Sequence, residues 1–139
     1  MPATDVEQQL REALVTILEA DATLISLMGG AARVVDRQTL GPASALPCLA
    51  YDVLSYSDAD GRASVLLTGL DTTPETAPSV ARHLVKVAAD ALTQTAFAGQ
   101  ALDVAASERQ NQNVADVGLI DLGNPNLRQA DAILPLLVV

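Results

Sequence analysis

Apolar positions near the start of the chain recur at the spacing of one face of an α-helix. They fall, after Thr4, at Val6, Leu10, Ala13, Leu14, Ile17 and Leu18. This period of about 3.6 residues predicts an amphipathic helix. Thr4 followed by Glu7 forms a capping box, whose side chains satisfy free backbone N–H groups of the first turn. A second short helix is predicted after Asp21 and ends at Gly29 and Gly30, because glycine readily adopts the left-handed conformation that closes a helix.

Between Leu46 and Leu70 the pattern changes to an alternation of apolar and polar positions. Residues 46–56 and 62–70 are separated by a polar turn at residues 57–61, which together predict a β-hairpin at the centre of the fold. One face of the hairpin is apolar and carries Leu49, Tyr51, Val53, Ala63, Val65 and Leu67. The opposite face is mixed, and we expect a helix, a neighbouring subunit or both to cover half of it. That face carries Cys48, Ala50, Asp52, Leu54 and Tyr56.

The rest of the chain supplies a second helix and further strands. A short strand is predicted at residues 32–35, and an amphipathic helix runs from Val80 to about Thr95, with its apolar stripe on the sheet. Residues 101–106 and 127–139 are predicted strands, and Pro135 inside the latter is typical of an edge or terminal strand. Residues 107–126 form a long excursion between them. The pattern predicts an α+β domain, a mostly antiparallel sheet with a central hairpin and two main amphipathic helices packed on it.

Length and charge narrow the possible functions. The 139 residues fit a single domain, 1–139, and a net charge of -9 with 8 basic against 17 acidic residues disfavours binding to nucleic acid or to anionic membranes. The single cysteine excludes an internal disulfide and fits a reducing compartment. No signal sequence and no apolar run of roughly 18 residues is present. We therefore expect synthesis in a cytoplasm and no membrane partner.

Residue chemistry predicts no catalytic, cofactor-binding or metal-binding residues. His83 lies on the polar face of the second helix, where we interpret it as a surface histidine. Cys48 lies in an apolar strand and is expected to be buried and unreactive. Asp58 and Asp60 have the chemistry of a hairpin turn and lack the further ligands of a calcium site. An enzyme is not expected.

The apolar run from Ile133 to Val139 and the apolar centre of the excursion, residues 114–122, are unusual for a lone monomer. Exposed apolar patches mark interaction sites. Alternatively, both segments fill the core of this domain, and the sequence leaves the two interpretations open.

Three local patterns carry a resemblance to a known family. They are residues 10–24 leading to a Gly29-Gly30 turn, Leu46-Pro47 opening the strand 49–53, and the helix from Val80 to Leu92. Over residues 7–92 the chain resembles the small tail-completion and tail terminator proteins of long-tailed bacteriophages. In that family a helix ending in Asp-Ala-x-Leu precedes a Gly-Gly turn, and a Leu-Pro pair opens the central strand. The excursion is longer than this family pattern.

The resemblance implies a structural virion protein at the head-proximal end of the tail. Such proteins form a ring, of about six copies, that closes by a head-to-tail contact and joins the tail tube protein to a head-tail connector protein. An acidic ring would repel the DNA that passes through its lumen, and Asp58 and Asp60 are candidates to face that lumen.

The subunit contact is expected first at the hairpin, because an open strand edge invites pairing across subunits. The excursion and the C-terminal run are expected next. The candidate interface residues are Tyr56, Asp58, Asp60, Arg62, Val114, Val117, Leu119, Ile120, Leu136 and Val138. One alternative function is a head-tail connector or adaptor ring, and another, of a different class, is a small soluble ligand-binding domain or enzyme with an apolar pocket.

Overall fold

A computed structural model describes residues 4–41, 44–57, 59, 61–72, 80–93, 104–106, 123 and 127–138. Its helices are α1 (Thr4–Glu19), α2 (Ala22–Leu27) and α3 (Val80–Thr93). Its strands are β1 (Val34–Asp36), β2 (Cys48–Tyr56), β3 (Arg62–Asp71), β4 (Val104–Ala106) and β5 (Arg128–Val138). The predicted α+β class is confirmed. None of the helices in these ranges is long and apolar enough to cross a membrane.

The described strands form a mixed sheet in the order β1-β2-β3-β5-β4. β1 runs parallel to β2, and the other three pairings are antiparallel. The predicted hairpin, β2 and β3, therefore lies at the centre of the sheet. β3 is paired along its whole length on the side of β5, from Arg62 to Asp71.

The prediction based on Pro135, an edge or terminal strand, is met in part. β5 is the last strand along the chain, but it is not an edge strand near its end, because β4 pairs with residues 136–138. Pro135 lies directly outside that pairing, so its missing N–H costs no hydrogen bond to β4. The proline therefore marks where β5 separates from β4.

The main core lies between one face of the sheet and the two longer helices. The predicted apolar face of the hairpin is confirmed, since all six of its side chains are buried in this core. α1 contributes Leu10, Ala13, Leu14 and Leu18, α3 contributes Leu84, Val85, Ala88, Ala89 and Leu92, and β5 contributes Ala132, Leu134 and Leu136. The C-terminal run thus fills the core of the domain itself with Leu134 and Leu136.

The two ends of α2 that the sequence marked are formed as predicted. The carboxylate of Asp21 accepts a hydrogen bond of 3.0 Å from the backbone N–H of Leu24 and caps α2. Gly29 and Gly30 follow with φ of 87° and 115°, a region that favours glycine. α1 begins at Thr4, where the capping box was predicted.

α3 is positioned on the sheet by the end of β3. Asp71 is 2% exposed, and its Oδ2 accepts a hydrogen bond of 2.6 Å from the backbone N–H of Ala81. β3 therefore supplies an acceptor for the first turn of α3.

The opposite face of the sheet is covered in part by the connection between β1 and β2. Leu40 and Leu46 of this connection pack against Cys48 and Leu70. Arg37 reaches across the face, and its Nη1 donates to Thr68 Oγ1 and, at 3.3 Å, to Asp131 Oδ1. This part of the face is covered, but by the connection between β1 and β2, where a helix or a neighbouring subunit was expected.

A β-bulge in β2 corrects the predicted position of Tyr56. Val53 pairs with Val65, but Ser55 pairs with Ser64, so Leu54 is an extra residue in the strand. An extra residue reverses the alternation beyond it. Tyr56 therefore lies opposite Ala63 and packs against the main core, instead of sharing a face with Cys48.

Candidate assembly interface

The second half of β2 has one side that no described strand occupies. β1 pairs with Leu49, Ala50 and Tyr51, whereas residues 52–56 continue past the end of β1. The N–H of Leu49 donates to the carbonyl oxygen of Arg33, so it points toward β1. Since peptide groups two residues apart point to the same side, the N–H and C=O of Val53 also face this side. We call residues 52–55 the β2 free stretch.

Leu54 lies in the middle of the β2 free stretch. Its side chain is 48% exposed, and among the described residues it is the one exposed large hydrophobic side chain. A single exposed leucine is ordinary on a protein surface. Here, however, it stands on a bulge beside backbone groups that pair with none of the described strands, and this combination suits contact with another chain.

A group of charges borders the β2 free stretch. Arg11 of α1 forms ion pairs with Asp36 at 3.1 Å, with Glu7 at 3.2 Å and with Asp52 at 3.7 Å. Three carboxylates around one guanidinium leave a local excess of negative charge. Burial raises the pKa of the adjacent Tyr51, and the carboxylate of Asp36 raises it further. This border is therefore electronegative.

A second free stretch lies at the other side of the sheet. β4 pairs with residues 136–138 of β5, and none of the described strands pairs with residues 130–134 on that same side. We call residues 130–134 the β5 free stretch. The two stretches differ in sequence and lie at opposite edges of the sheet, so a contact between them would join one copy head-to-tail with the next.

The structure brings two of the predicted interface residues together. Tyr56 and Arg62 lie at the two ends of the hairpin turn, where the N–H of Ser57 donates to the carbonyl oxygen of Arg62 at 2.9 Å. Tyr56 is partly buried and Arg62 is exposed.

The other predicted residues are distributed differently. Leu136 is 1% exposed in the core of the domain, so its side chain is not on the surface of the single chain. Val138 pairs with Val104 at the end of β5. Six of the candidates, Asp58, Asp60, Val114, Val117, Leu119 and Ile120, lie outside the described residues.

Sequence analysis missed Leu54 as an interface candidate. The alternating pattern grouped it with Cys48 and Ala50 on a half-covered face. A bulge leaves no distinctive residue type in a strand of this composition, so the sequence held no signal for the exposure of Leu54.

A pocket of about 350 Å³ lies beside Cys48. It is lined by Glu19, Ala32, Arg33, Val34, Val35, Thr39, Ser44, Ala45 and Cys48. The guanidinium of Arg33 is used within the fold, because it donates to the carbonyl oxygens of Pro47 and Met28, each at 2.9 Å. Burial raises the pKa of the Cys48 thiol, and Arg33 opposes this only in part. The Cys48 thiol is therefore not activated as a nucleophile.

The remaining candidates for chemistry are placed as the sequence predicted. His83 is exposed on α3, and Cys48 is buried. In the described part of the chain, no three His, Cys, Asp or Glu side chains are grouped so that they could hold a metal ion. The most distinctive surface is thus the β2 free stretch with its acidic border. Comparisons with protein-family models, with curated proteins and with solved structures found no match for this chain.

Proposed function

We propose that this chain is a structural subunit of a long-tailed bacteriophage, a tail terminator or tail-completion protein. The proposal combines the family resemblance of residues 7–92 with one structural observation. That observation is the pair of free stretches, β2 residues 52–55 and β5 residues 130–134, at opposite sides of the sheet. A subunit with two different contact edges suits a closed ring, in which each copy uses both.

In this proposal the ring, of about six copies, caps the tail tube and joins it to the head-proximal connector. The partners are further copies of the chain, the tail tube protein and the connector protein. The role is structural and not enzymatic, and the ring resides in the virion after synthesis in the host cytoplasm.

The charge of the chain supports passage of DNA rather than binding. A net charge of -9 on each copy gives the ring a strongly negative potential, which repels phosphates at short range. DNA would slide through such a lumen without specific contacts.

The primary test is the native mass of the protein at low and high concentration, followed by end-on imaging. The proposal predicts a closed ring of about six chains, either in free solution or on the ends of tail tubes that lack a terminator. A monomer that neither assembles alone nor binds tube ends would overturn it. Binding to isolated connectors but never to tube ends would favour the connector alternative.

A variant of the β2 free stretch makes this test specific. Leu54→Lys places a charge on the exposed strand edge, and edge lysines oppose pairing between strands. We expect the association constant at each contact to fall about fivefold or more. Ser26→Lys, an equal change of charge on the exposed surface of α2, is the control and should assemble like the unmodified chain. If both variants assemble equally well, the β2 free stretch is not part of the contact.

A further inference from the structure

The connection between β1 and β2 crosses part of the sheet face opposite the two longer helices. It begins with a turn of 3-10 helix at Arg37–Thr39. Leu40 follows and packs against Cys48 and Leu70, which form a small apolar cluster separate from the main core. We call residues 37–41 the strap.

The side chain of Arg37 fastens the strap to the central strands of the sheet. Its Nη1 donates to Thr68 Oγ1 of β3 and, at 3.3 Å, to Asp131 Oδ1 of β5. The side chains of Arg37 and Asp131 are 17% and 12% exposed, so solvent screens this ion pair only in part. Hydrogen bonds between charged groups in such a setting are among the stronger ones in proteins. The strap is therefore held across the sheet by a side chain.

The backbone of the strap is hydrogen-bonded locally. The N–H of Leu40 donates to the carbonyl oxygen of Arg37 at 3.3 Å. The carboxylate of Asp36 accepts from the N–H of Gln38 at 2.9 Å. Because these bonds close within residues 36–40, they can persist when the strap moves away from the sheet. Such a movement breaks side-chain contacts and leaves the pairing of the strands intact.

Packing beside the strap is incomplete. The pocket of about 350 Å³ is lined by Thr39 of the strap, by Val34 and Val35 of β1 and by Cys48, among others. Protein interiors are normally filled without a space of this size, so this side of the strap has fewer contacts with the sheet. Cys48 is 1% exposed although it lines the pocket. Its thiol is thus shielded by a cover that is only partly packed against it.

We propose that the strap opens as a local unit, with Arg37 released from Asp131, and that this opening exposes Cys48 to solvent while the sheet stays folded. Segments held by few buried contacts open at a lower free energy than the whole domain does. Asp131 belongs to the β5 free stretch, so opening also removes a neighbouring positive charge from that stretch. Because the opening concerns a single chain, it does not depend on the proposed function.

Cys48 reports on this opening directly, since it is the single cysteine of the chain. Its rate of alkylation by iodoacetamide, measured by mass spectrometry and divided by the rate for an unstructured peptide that contains cysteine, gives the fraction of molecules with an exposed thiol. We expect this fraction to exceed the globally unfolded fraction obtained from urea unfolding. It should also rise less steeply with urea, because local opening exposes less surface than unfolding does.

Two variants test the role of the ion pair. Arg37→Gln and Asp131→Asn each remove it, and we expect either substitution to raise the rate of alkylation about tenfold. Gly69→Ala is the control, because a Cβ at this position meets the backbone of Ala81 in α3 and does not touch the strap. Its rate of alkylation should stay close to that of the unmodified chain, although its urea midpoint should fall.

Faster alkylation of both ion-pair variants, with an unchanged rate for Gly69→Ala, would support the inference. If Gly69→Ala accelerates alkylation in proportion to its loss of free energy of unfolding, Cys48 is exposed only by global unfolding and the inference is wrong. It is also wrong if Arg37→Gln or Asp131→Asn folds and reacts no faster than the unmodified chain. Should one of these two variants fail to fold, the other decides the result.

Discussion

Gly69 lies where the backbone of α3 meets β3, and its missing side chain makes this approach possible. A Cβ at this position would overlap the carbonyl oxygen of Ala81 and lie 3.0 Å from its carbonyl carbon. Because these are backbone atoms, the helix would have to move. We expect Gly69→Ala to lower the free energy of unfolding by about 1–3 kcal/mol, as overpacking does. Urea unfolding followed by circular dichroism measures the loss.

Gly41→Ala is the matched control for this substitution. No atom lies within 4 Å of a Cβ built on Gly41, and its φ is not in the left-handed region. Its free energy of unfolding should therefore change little or rise slightly, because alanine restricts the unfolded chain. An equal loss in both variants would show that the contact with Ala81 is not the cause.

Because of Cys48, the free energy of unfolding should depend on pH in the alkaline range. Burial raises the pKa of its thiol above the usual 9.0, with Arg33 opposing the effect. Below pH 9.0 the thiol is protonated in both the folded and the unfolded chain, so its full contribution is present. Above that pH the unfolded chain releases its proton first, and the free energy of unfolding falls by up to about 1.4 kcal/mol per pH unit until the folded thiol ionises.

Urea unfolding in the presence of a reductant, between pH 8 and pH 10, measures this effect. Cys48→Ala removes the titrating group and should flatten the dependence, although the small cavity lowers stability at every pH. The same slope in both proteins would assign the pH dependence to other groups. Tyr51 contributes in the same direction only above its usual pKa of 10.0, because its pKa is raised as well.

At the scale of elements, the contact between β3 and α3 depends on Asp71. Its carboxylate accepts the N–H of Ala81 in a buried setting, 10 residues away in sequence. We expect Asp71→Ala to cost about 1–3 kcal/mol, because a buried donor loses its partner. Asp71→Asn retains an acceptor oxygen and should cost less. Chemical denaturation of both variants measures their free energies of unfolding. A larger decrease for Asp71→Asn than for Asp71→Ala would contradict the prediction.

The elements themselves were largely predictable from the sequence. α1, the hairpin and α3 each have a clear apolar period, and the structure forms all of them close to the predicted bounds. The interactions that join elements were not predictable. Arg37 and Asp131 are 94 positions apart, and no local pattern relates two charged residues at that distance. Asp71 likewise was missed as a cap, because it belongs to the preceding strand.

Only one part of the candidate interface could be predicted from the sequence, and this is the end of the hairpin. A hairpin necessarily brings Tyr56 and Arg62 to the same end. The β2 free stretch depends instead on how far β1 extends, and β1 is 3 residues long. Nothing in the sequence indicates the length of β1, and nothing in it indicates the bulge at Leu54. Which strand edges are open and which side chains are exposed therefore depends on the whole sheet. Both follow only from the strand order.

For the whole molecule, assembly should depend on salt because every copy carries a charge of -9. Copies of like charge repel one another at long range. The screening length is about 30 Å at 0.01 M salt, about 8 Å at 0.15 M and about 3 Å at 1 M. Added salt should therefore weaken the repulsion, while it leaves an apolar contact at Leu54 in place.

We accordingly expect the fraction of protein in rings to rise from about 0.01 M to about 1 M salt. Native mass at a fixed protein concentration, across this series, measures the profile. The Leu54→Lys variant serves as the control. It should show a similar rise from a lower level, because screening acts on the net charge of the subunit, whereas the substitution weakens the contact itself. A steady fall for the unmodified chain would contradict the prediction, since it would mean that attraction between opposite charges holds the ring and that the net charge does not oppose assembly.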